Sequence, residues 1–234
     1  MSGLNYIRFS DRDAFVNAAV ETSQTLLSDA IKERQRATFL CAGGSTPAPV
    51  YSALSTAPLD WNKIAVGLTD ERWVPTSSEG SNHAFIERTL LQNNAKSARI
   101  YPMVTDPSLS AFDEAPSINT IYQQHLLPAD LMILGMGADA HTLSWFSGAD
   151  GLQAAMDEKT TKMVTAITAK QTETTGIFTT RQTLTKAAVA SARNVLLLIT
   201  GDEKRQVFET STPDSPIRHM IEAASDRLTT YWAP

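Results

Sequence analysis

The sequence contains a single cysteine, Cys41, among its 234 residues, which excludes an internal disulfide framework. It has no apolar run near the roughly 20 residues of a membrane-spanning helix. A basic surface is lacking too, since the formal net charge is −5 and no basic amphipathic stretch occurs. Because no signal peptide is visible either, we expect a cytoplasmic protein that binds neither nucleic acid nor membrane.

Several motifs that are typical of cofactor binding or of a catalytic nucleophile are also missing. Neither the G-x-x-x-x-G-K-[ST] phosphate loop nor the G-x-S-x-G nucleophile elbow occurs. Gly135-x-Gly137 lacks the third glycine of a dinucleotide fingerprint, and the four histidines show no zinc-ligand spacing. We expect Cys41 to behave as a small buried hydrophobe. No metal and no organic cofactor is therefore predicted.

What is present is an alternation of strand-like and helix-like stretches with short breaks. Continuous apolar strands between helices predict an α/β fold with a largely parallel sheet covered by helices on both faces. The predicted strands are 6–9, 38–42, 63–68, 98–103, 131–135, 163–168, 181–185, 195–200 and 227–232. The predicted helices are 11–36, 47–55, 82–92, 119–127, 186–193 and 217–224, with 106–118 irregular. We expect residues 1–234 to form one domain.

The loop after strand 131–135 carries a histidine, His141, with a carboxylate, Asp139, two residues before it. Open parallel sheets bind small ligands beyond the carboxyl ends of their strands. A glycine-bounded loop with these side chains at such an end indicates a catalytic site. The alternative is a surface loop whose histidine caps a neighbour.

The loop after strand 38–42 is rich in glycine and hydroxyl groups. Gly43 and Gly44 let the backbone approach a ligand closely, and Ser45 and Thr46 add donors. Thr46 suits the N-cap of a helix whose first residue is Pro47. A helix N-terminus after glycines favours an anion. The alternative is an ordinary turn between strand and helix.

Charged residues follow two other predicted strands, and one more charged residue, Arg181, begins a third strand. Arg72 could hold a phosphate with its planar guanidinium, and Asp70 could orient a sugar hydroxyl or transfer a proton. Lys204 lies in the first turn of a predicted helix, where a cation opposes the helix dipole, so an anion nearby would explain it. Arg181 is either a phosphate ligand or a salt-bridged strand residue. Likewise, Asp70 and Arg72 could form a surface ion pair worth little.

In this order the motifs resemble those of 6-phosphogluconolactonases, within the wider group of glucosamine-6-phosphate deaminases and related sugar-phosphate enzymes. The matching pieces are Gly43-Gly44-Ser45-Thr46-Pro47, Asp70-Glu71-Arg72-Trp73-Val74-Pro75 with Ser81-Asn82, Gly135-Met136-Gly137-x-Asp139-x-His141-Thr142, Arg181-x-Thr183-Leu184-Thr185, Gly201-x-x-Lys204 and Tyr231-Trp232.

The resemblance implies a modified Rossmann-like fold that hydrolyses the ester of 6-phosphoglucono-δ-lactone without an organic cofactor. His141 matches the catalytic histidine, and Asp139 and Asp70 match the carboxylates around it. The positions that match phosphate and sugar contacts are Gly43, Gly44, Ser45, Thr46, Arg72, Arg181 and Lys204.

Three positions depart from the family pattern. Ala140 stands where the family usually has glycine, Leu143 replaces a usual alanine, and Ser147 replaces a frequent proline. If residue 140 needs a positive φ, alanine would strain the loop by about 1–2 kcal/mol.

A mechanism follows from these groups. The acyl carbon of a δ-lactone is already reactive, so neither a metal nor a covalent nucleophile is needed. Neutral His141 would take a proton from water as it attacks C1, with Asp139 or Asp70 orienting the imidazole. The phosphate contacts would hold the lactone in position. We expect a monomer whose partner is the small-molecule substrate.

Two other functions are compatible with parts of this pattern. One is a ring-opening deaminase or isomerase of the same superfamily, but those deaminases carry a glutamate five residues after the histidine, where this chain has Phe146. The other is a non-catalytic sugar-phosphate sensor. The acidic chain leaves no room for a DNA-binding domain before its first predicted strand, which counts against the sensor.

Overall fold

A computed structural model describes residues 5–234. Its strands are β1 (Asn5–Arg8), β2 (Ala37–Cys41), β3 (Ile64–Leu68), β4 (Asp70–Arg72), β5 (Arg99–Ile100), β6 (Leu131–Gly135), β7 (Val164–Thr168), β8 (Thr180–Leu184), β9 (Val195–Thr200) and β10 (Leu228–Ala233). Its α-helices are α1 (Arg12–Arg34), α2 (Ala48–Leu54), α3 (Asn82–Thr89), α4 (Ala111–His125), α5 (Leu152–Met156), α6 (Lys186–Ser191), α7 (Asp202–Thr210) and α8 (Pro216–Ala224).

Seven strands form one parallel sheet in the order β1-β10-β9-β6-β2-β3-β5. All residues of β2 are buried, and β6 and β9 are buried except at their last residues. Strands covered on both faces need apolar side chains throughout, which explains the continuous runs in the sequence. The predicted α/β fold with a largely parallel sheet is confirmed.

A second, three-stranded antiparallel sheet has the order β4-β8-β7. The sequence pattern predicts β7 and β8 as strands but does not predict that they form a separate sheet. It also predicts a loop at Asp70–Arg72, and this is wrong, because that segment is strand β4. Asp70 pairs with Thr183 and Arg72 with Arg181, so the strand depends on residues far away in the chain.

The stretch 106–118, predicted as irregular, contains the first half of helix α4. Ser110 is its N-cap and accepts a hydrogen bond from the backbone N–H of Phe112. Pro116 lies inside the helix, where a proline normally breaks the hydrogen-bond pattern, and this misled the prediction. The predicted strand 98–103 is reduced to the two residues of β5.

Helices cover both faces of the parallel sheet. Helix α1 packs against α2 and the strands β2 and β10, whereas α6 packs against α8. The apolar side chains form one large core, with Trp61 and Trp145 among its largest fully buried members. Within residues 5–234, no helix is both long enough and apolar enough to span a membrane.

The order of the parallel strands reverses next to β2. From β2 the chain continues to β3 and β5 on one side, and it then returns to β6 on the other side. Loops that leave neighbouring strands in opposite directions open a crevice at the carboxyl ends of those strands. The fold therefore places the loops after β2 and β6 on the two sides of one crevice.

Candidate active site

A cavity of about 380 Å³ lies at this crevice. Its lining includes all but one of the residues predicted for the site: Gly43, Gly44, Ser45, Thr46, Asp70, Arg72, His141, Arg181 and Lys204. The remaining predicted residue, Asp139, contacts the imidazole of His141. The imidazole and the three cations thus face one space, although they are contributed by four separate segments of the chain.

The loop after β6 holds the carboxylate of Asp139 against the imidazole of His141. Oδ1 of Asp139 lies 2.5 Å from Nδ1 of His141 and 3.3 Å from its backbone nitrogen. The loop is closed by a hydrogen bond from the backbone N–H of Gly137 to the carbonyl of His141 at 2.9 Å. Because Nδ1 is engaged by the carboxylate, Nε2 is the ring nitrogen left to act on a ligand.

The same carboxylate has a lowered pKa. Partial burial acts to raise the pKa of Asp139, but the hydrogen bond and the charge of His141 outweigh that effect and bring it below the ordinary value. Asp139 therefore remains ionised at neutral pH. An ionised carboxylate on Nδ1 orients the imidazole and stabilises it when it takes up a proton.

Two residues of this loop have backbone conformations that favour glycine. Ala140 has a φ of 63° and Leu143 a φ of 57°. Residue 140 therefore does have a positive φ, and this left-handed conformation costs alanine about 1–2 kcal/mol. Both side chains are at most 9% exposed, and the carbonyl of Ala140 accepts a hydrogen bond from the N–H of Ile217 at the start of α8.

Asp70 lies in a different part of the cavity wall and makes its own contacts. Its Oδ2 accepts a hydrogen bond of 2.6 Å from the hydroxyl of Ser144 and lies 3.8 Å from Nη1 of Arg181. Its Oδ1 lies 3.4 Å from the side-chain amide of Asn82. Of the two carboxylates, Asp139 is the one that hydrogen-bonds the imidazole. Asp70 instead holds groups of the wall in position.

Arg72 and Arg181 are directly opposite each other in the small sheet. Like charges at such paired positions repel each other, so an anion between them would be stabilising. Burial lowers the pKa of Arg181, and the charge of Arg72 adds to this effect while that of Asp70 opposes it. Nε of Arg72 is buried without a hydrogen-bond partner among the described residues. Both arginines are suited to bind a phosphate.

Lys204 is the third cation of the cavity and lies in the first turn of α7. It is half-buried, and this burial lowers the pKa of its ammonium group. Across residues 5–234, its side chain forms no hydrogen bond or ion pair that would offset the loss of water. An anionic ligand would supply the missing partner. This agrees with the sequence analysis, in which a cation in the first turn of a helix is explained by an anion nearby.

The glycine loop after β2 brings its backbone close to Asn82. A Cβ atom on Gly43 would lie 2.1 Å from Oδ1 of Asn82, so only glycine allows the two segments to meet. Gly44 has a φ of 108° and open space on its Cα. The predicted N-cap role of Thr46 is wrong: α2 begins at Ala48 without a side-chain cap. The Thr46 hydroxyl instead lies 3.2 Å from that of Thr200.

Helix α3 is held at the cavity by a buried carboxylate. Glu71 accepts hydrogen bonds from the backbone N–H groups of Asn82 and His83 and from the Ser81 hydroxyl. Burial raises the pKa of Glu71, while these donors act in the opposite direction. Helix α3 begins at Asn82, as the sequence predicts, and Ser81 is its N-cap. The sequence does not reveal that Asn82 also reaches the cavity.

Three further residues of the site were not predicted from the sequence. Asn82 starts a predicted helix and belongs to the matching pair Ser81-Asn82, but it is not predicted to line the cavity. Ser144 bonds Asp70 from the loop after β6, and Thr174 comes from an irregular loop. A signal existed for Ser144, since it follows His141 by three residues in the same loop. Cys41 is fully buried, which raises the pKa of its thiol well above the usual value and agrees with the predicted structural role.

Comparisons with known proteins agree on one family. The family of glucosamine-6-phosphate isomerases/6-phosphogluconolactonase matches residues 10–232. A 6-phosphogluconolactonase of Mesorhizobium japonicum is 35% identical over 233 residues, covering 98% of this chain and 95% of its own length. Another, from Xylella fastidiosa, is 33% identical, with 98% and 96% covered.

Solved structures are similar over the whole chain. A 6-phosphogluconolactonase from Shewanella baltica has a TM-score of 0.89 at 26% identity, with 100% of this chain and 99% of that chain covered. A putative 6-phosphogluconolactonase from Neisseria gonorrhoeae has a TM-score of 0.84 at 27% identity, with 99% and 100% covered.

Proposed function

The chain belongs to the family of glucosamine-6-phosphate isomerases and 6-phosphogluconolactonases, and from this we propose that it hydrolyses 6-phospho-D-glucono-1,5-lactone to 6-phosphogluconate in the oxidative pentose phosphate pathway. The two relatives described above, both named 6-phosphogluconolactonase, cover 98% of this chain at 33–35% identity, which supports this activity over others in the family. The observation that carries the proposal is the single cavity shared by His141, Arg72, Arg181 and Lys204.

In the proposed reaction, His141 acts as the general base. Its Nε2 takes a proton from water as the water oxygen attacks C1 of the lactone. Asp139 keeps the imidazole in the required tautomer and stabilises the imidazolium. The bond between C1 and the ring oxygen then breaks, and the imidazolium returns the proton to that oxygen. General acid and base assistance of this kind is typically worth about 10²–10⁴ in rate.

The three cations are proposed to bind the phosphate, and the backbone of Gly43 and Gly44 is proposed to approach the ligand with Ser45 and Thr46 donating hydrogen bonds. Binding the phosphate remote from C1 holds the lactone in place for attack. Guanidinium groups suit a phosphate because hydrogen bonds between two oppositely charged groups are short and strong. Asp70 is proposed to support this wall through Ser144 and Arg181.

The alternatives stated from the sequence receive less support. The position five residues after His141 is Phe146, a side chain that cannot exchange protons with a sugar ring oxygen, which counts against a deaminase. A paired Asp139 and His141 at the cavity counts against a purely binding function. We also propose a cytoplasmic monomer with one domain over residues 1–234. Sedimentation of the purified protein tests the monomer.

The activity is tested by following the loss of freshly prepared 6-phosphogluconolactone with wild-type protein, with His141→Ala and with buffer alone. The buffer arm is necessary because the lactone also opens spontaneously. We expect rapid loss with wild type and loss near the buffer rate with His141→Ala. If wild type also follows the buffer rate, the proposal is wrong.

A further inference from the structure

The ring of Phe146 contacts both the catalytic imidazole and one arginine of the cavity. The ring centroids of Phe146 and His141 are 4.4 Å apart with an angle of 32° between the planes. Cζ of Arg181 lies 4.9 Å from the centre of the same phenylalanine ring. Phe146 is itself 4% exposed and does not line the cavity, so it contacts these two groups from behind the cavity wall.

The phenylalanine ring is fixed by the small sheet. It packs in a separate apolar cluster with Ile167 of β7 and Ala169, and the partly buried Ala149 packs against this cluster. A ring enclosed in this way has little freedom to rotate or shift, because buried side chains pack closely. The imidazole therefore rests against a surface whose position is set by β7.

The imidazole needs such a surface. Its Nδ1 is held by Asp139, but one hydrogen bond fixes one atom and leaves the ring free to swing about it. The backbone of Gly137 lies close to the imidazole and limits its movement in that direction, since even a Cβ atom on Gly137 would lie 2.2 Å from the ring. The contact with Phe146 supplies a second restraint, on the plane of the ring, and thereby limits the directions in which Nε2 can point.

We propose that Phe146 is a positioning residue of the reaction, which holds His141 in the productive orientation relative to Arg181. The inference rests on the proposed role of His141 as the base. Arg181 is tied independently by hydrogen bonds to the carbonyls of Phe178 and Thr175. Loss of the Phe146 ring should therefore disturb the imidazole more than the arginine.

A second effect acts in the same direction. The face of an aromatic ring attracts cations, and the imidazole becomes a cation when it takes the proton of the attacking water. In the proposed reaction, the Phe146 ring in contact with His141 would stabilise this imidazolium. An aliphatic side chain of similar volume would fill the space but would not provide this attraction.

The test compares Phe146→Leu, which removes the aromatic face, with Phe146→Tyr, which keeps it. We expect Phe146→Leu to lower kcat about tenfold or more, because small displacements of a catalytic group reduce rates strongly. Its KM should change by less than about threefold, since Arg181 keeps its other bonds. Phe146→Tyr should keep most of the wild-type kcat.

The matched control is Phe208→Leu. Phe208 is also buried and also contacts one aromatic ring, that of Tyr6 at 5.4 Å, and one arginine, Arg218 at 6.0 Å, but it does not line the cavity. We expect Phe208→Leu to lower Tm about as much as Phe146→Leu while kcat stays at the wild-type value. A merely structural role for Phe146 would make the two leucine variants alike.

The outcomes separate this inference from the proposed function. If His141→Ala keeps wild-type activity, the proposed role of His141 is wrong, and the inference falls with it. If His141→Ala is inactive but Phe146→Leu keeps kcat within twofold of wild type, only the role of Phe146 is overturned. Equal losses of kcat in the leucine and tyrosine variants, or an equal loss in Phe208→Leu, also overturn it.

A measurement on the wild-type protein covers the case in which a variant fails to fold. The chain has four histidines, so the ring proton signals of His141 are assigned by their absence from the spectrum of His141→Ala. The close contact with the Phe146 ring should shift these signals upfield through the ring current. Signals at ordinary histidine positions would mean that the contact does not persist in solution, and the inference would be wrong.

Discussion

A Cβ atom on Gly137 would lie 2.2 Å from the imidazole of His141 and 2.5 Å from Oδ1 of Asp139. No side chain at position 137 is therefore compatible with the contact between His141 and Asp139 beside it. This glycine allows the loop after β6 to fold back so tightly that its own backbone N–H bonds the carbonyl of His141.

The first prediction follows from this close approach. Gly137→Ala should lower kcat at least tenfold, because the imidazole has to move from its position beside Asp139, and misplaced catalytic groups lose rate steeply. Gly135→Ala, two residues earlier, is a control for stability and not for kcat, since a Cβ there meets nothing within 4 Å but Gly135 itself lines the cavity. Steady-state kinetics and thermal melts of both variants check this. A Gly137→Ala enzyme with full kcat would contradict it.

The second prediction concerns the charge on Asp139. Asp139→Asn keeps the shape of the side chain but removes the charge that stabilises the imidazolium, so kcat should fall by about 10²–10⁴. Asp214→Asn is a matched control, because Asp214 is an exposed carboxylate between α7 and α8. It should leave kcat unchanged. Similar rates for Asp139→Asn and wild type would exclude Asp139 from the mechanism.

Local features of the sequence predict some of these elements well. The buried strands β6 and β9 are predicted with their bounds because every position in a strand covered on both faces must be apolar. The loops that follow them are predicted to form the site because parallel strands end at a common edge. The ordered motifs then indicate which cations share that edge, and all three line one cavity.

Contacts between distant segments account for what the sequence did not predict. Strand β4 is three polar residues long and exists because Asp70 and Arg72 pair with β8, more than 100 positions along the chain. The contact of Phe146 with both His141 and Arg181 likewise requires the small sheet to be in place. The local pattern contains no information about such pairings, whereas it does predict where helices α3 and α6 begin, at Asn82 and Lys186.

The third prediction is that the rate depends on pH through a histidine. Since the pKa of Asp139 is lowered, its carboxylate stays ionised down to pH values below the ordinary aspartate range near 3.9. Histidine side chains are the ones that commonly gain a proton between pH 8 and 5. We therefore expect kcat/KM to fall with one limb over that interval, after subtraction of the buffer rate. A flat profile from pH 8 to 5 would argue against His141 as the base.

The fourth prediction concerns stability at position 140. Ala140 has a φ of 63°, so Ala140→Gly should relieve about 1–2 kcal/mol of strain while losing about 0.5–1 kcal/mol of backbone entropy. The net gain of about 0.5–1 kcal/mol should raise Tm by about 1–4 °C in a chain of this size. Ala138→Gly is the control: Ala138 is exposed in the same loop and lacks a positive φ, so glycine should lower Tm there. A lower Tm for both variants would contradict the strain at residue 140.

The last prediction tests the cations by comparing two lactones. Lys204→Met keeps the half-buried aliphatic stem and removes the ammonium group, which burial has already made less favourable as a charge. Hydrogen bonds to charged groups contribute about 1.5–3 kcal/mol, so KM for 6-phosphogluconolactone should rise about 10–100-fold. KM for unphosphorylated δ-gluconolactone should stay nearly constant, because that ligand has no phosphate to lose.

Arg205→Met is the control for Lys204→Met. Arg205 is the next residue of α7, stacks on Trp232 and pairs with Asp202, and does not line the cavity. Removing its charge changes the net charge of the protein by the same amount, so any long-range electrostatic effect on an anionic substrate would appear in both variants. A direct contact between Lys204 and the phosphate must depend both on the site of the charge and on the presence of the phosphate. Lys204 would therefore not bind the phosphate if Lys204→Met raised KM equally for both lactones. The same conclusion would follow if Lys204→Met raised KM no more than Arg205→Met does.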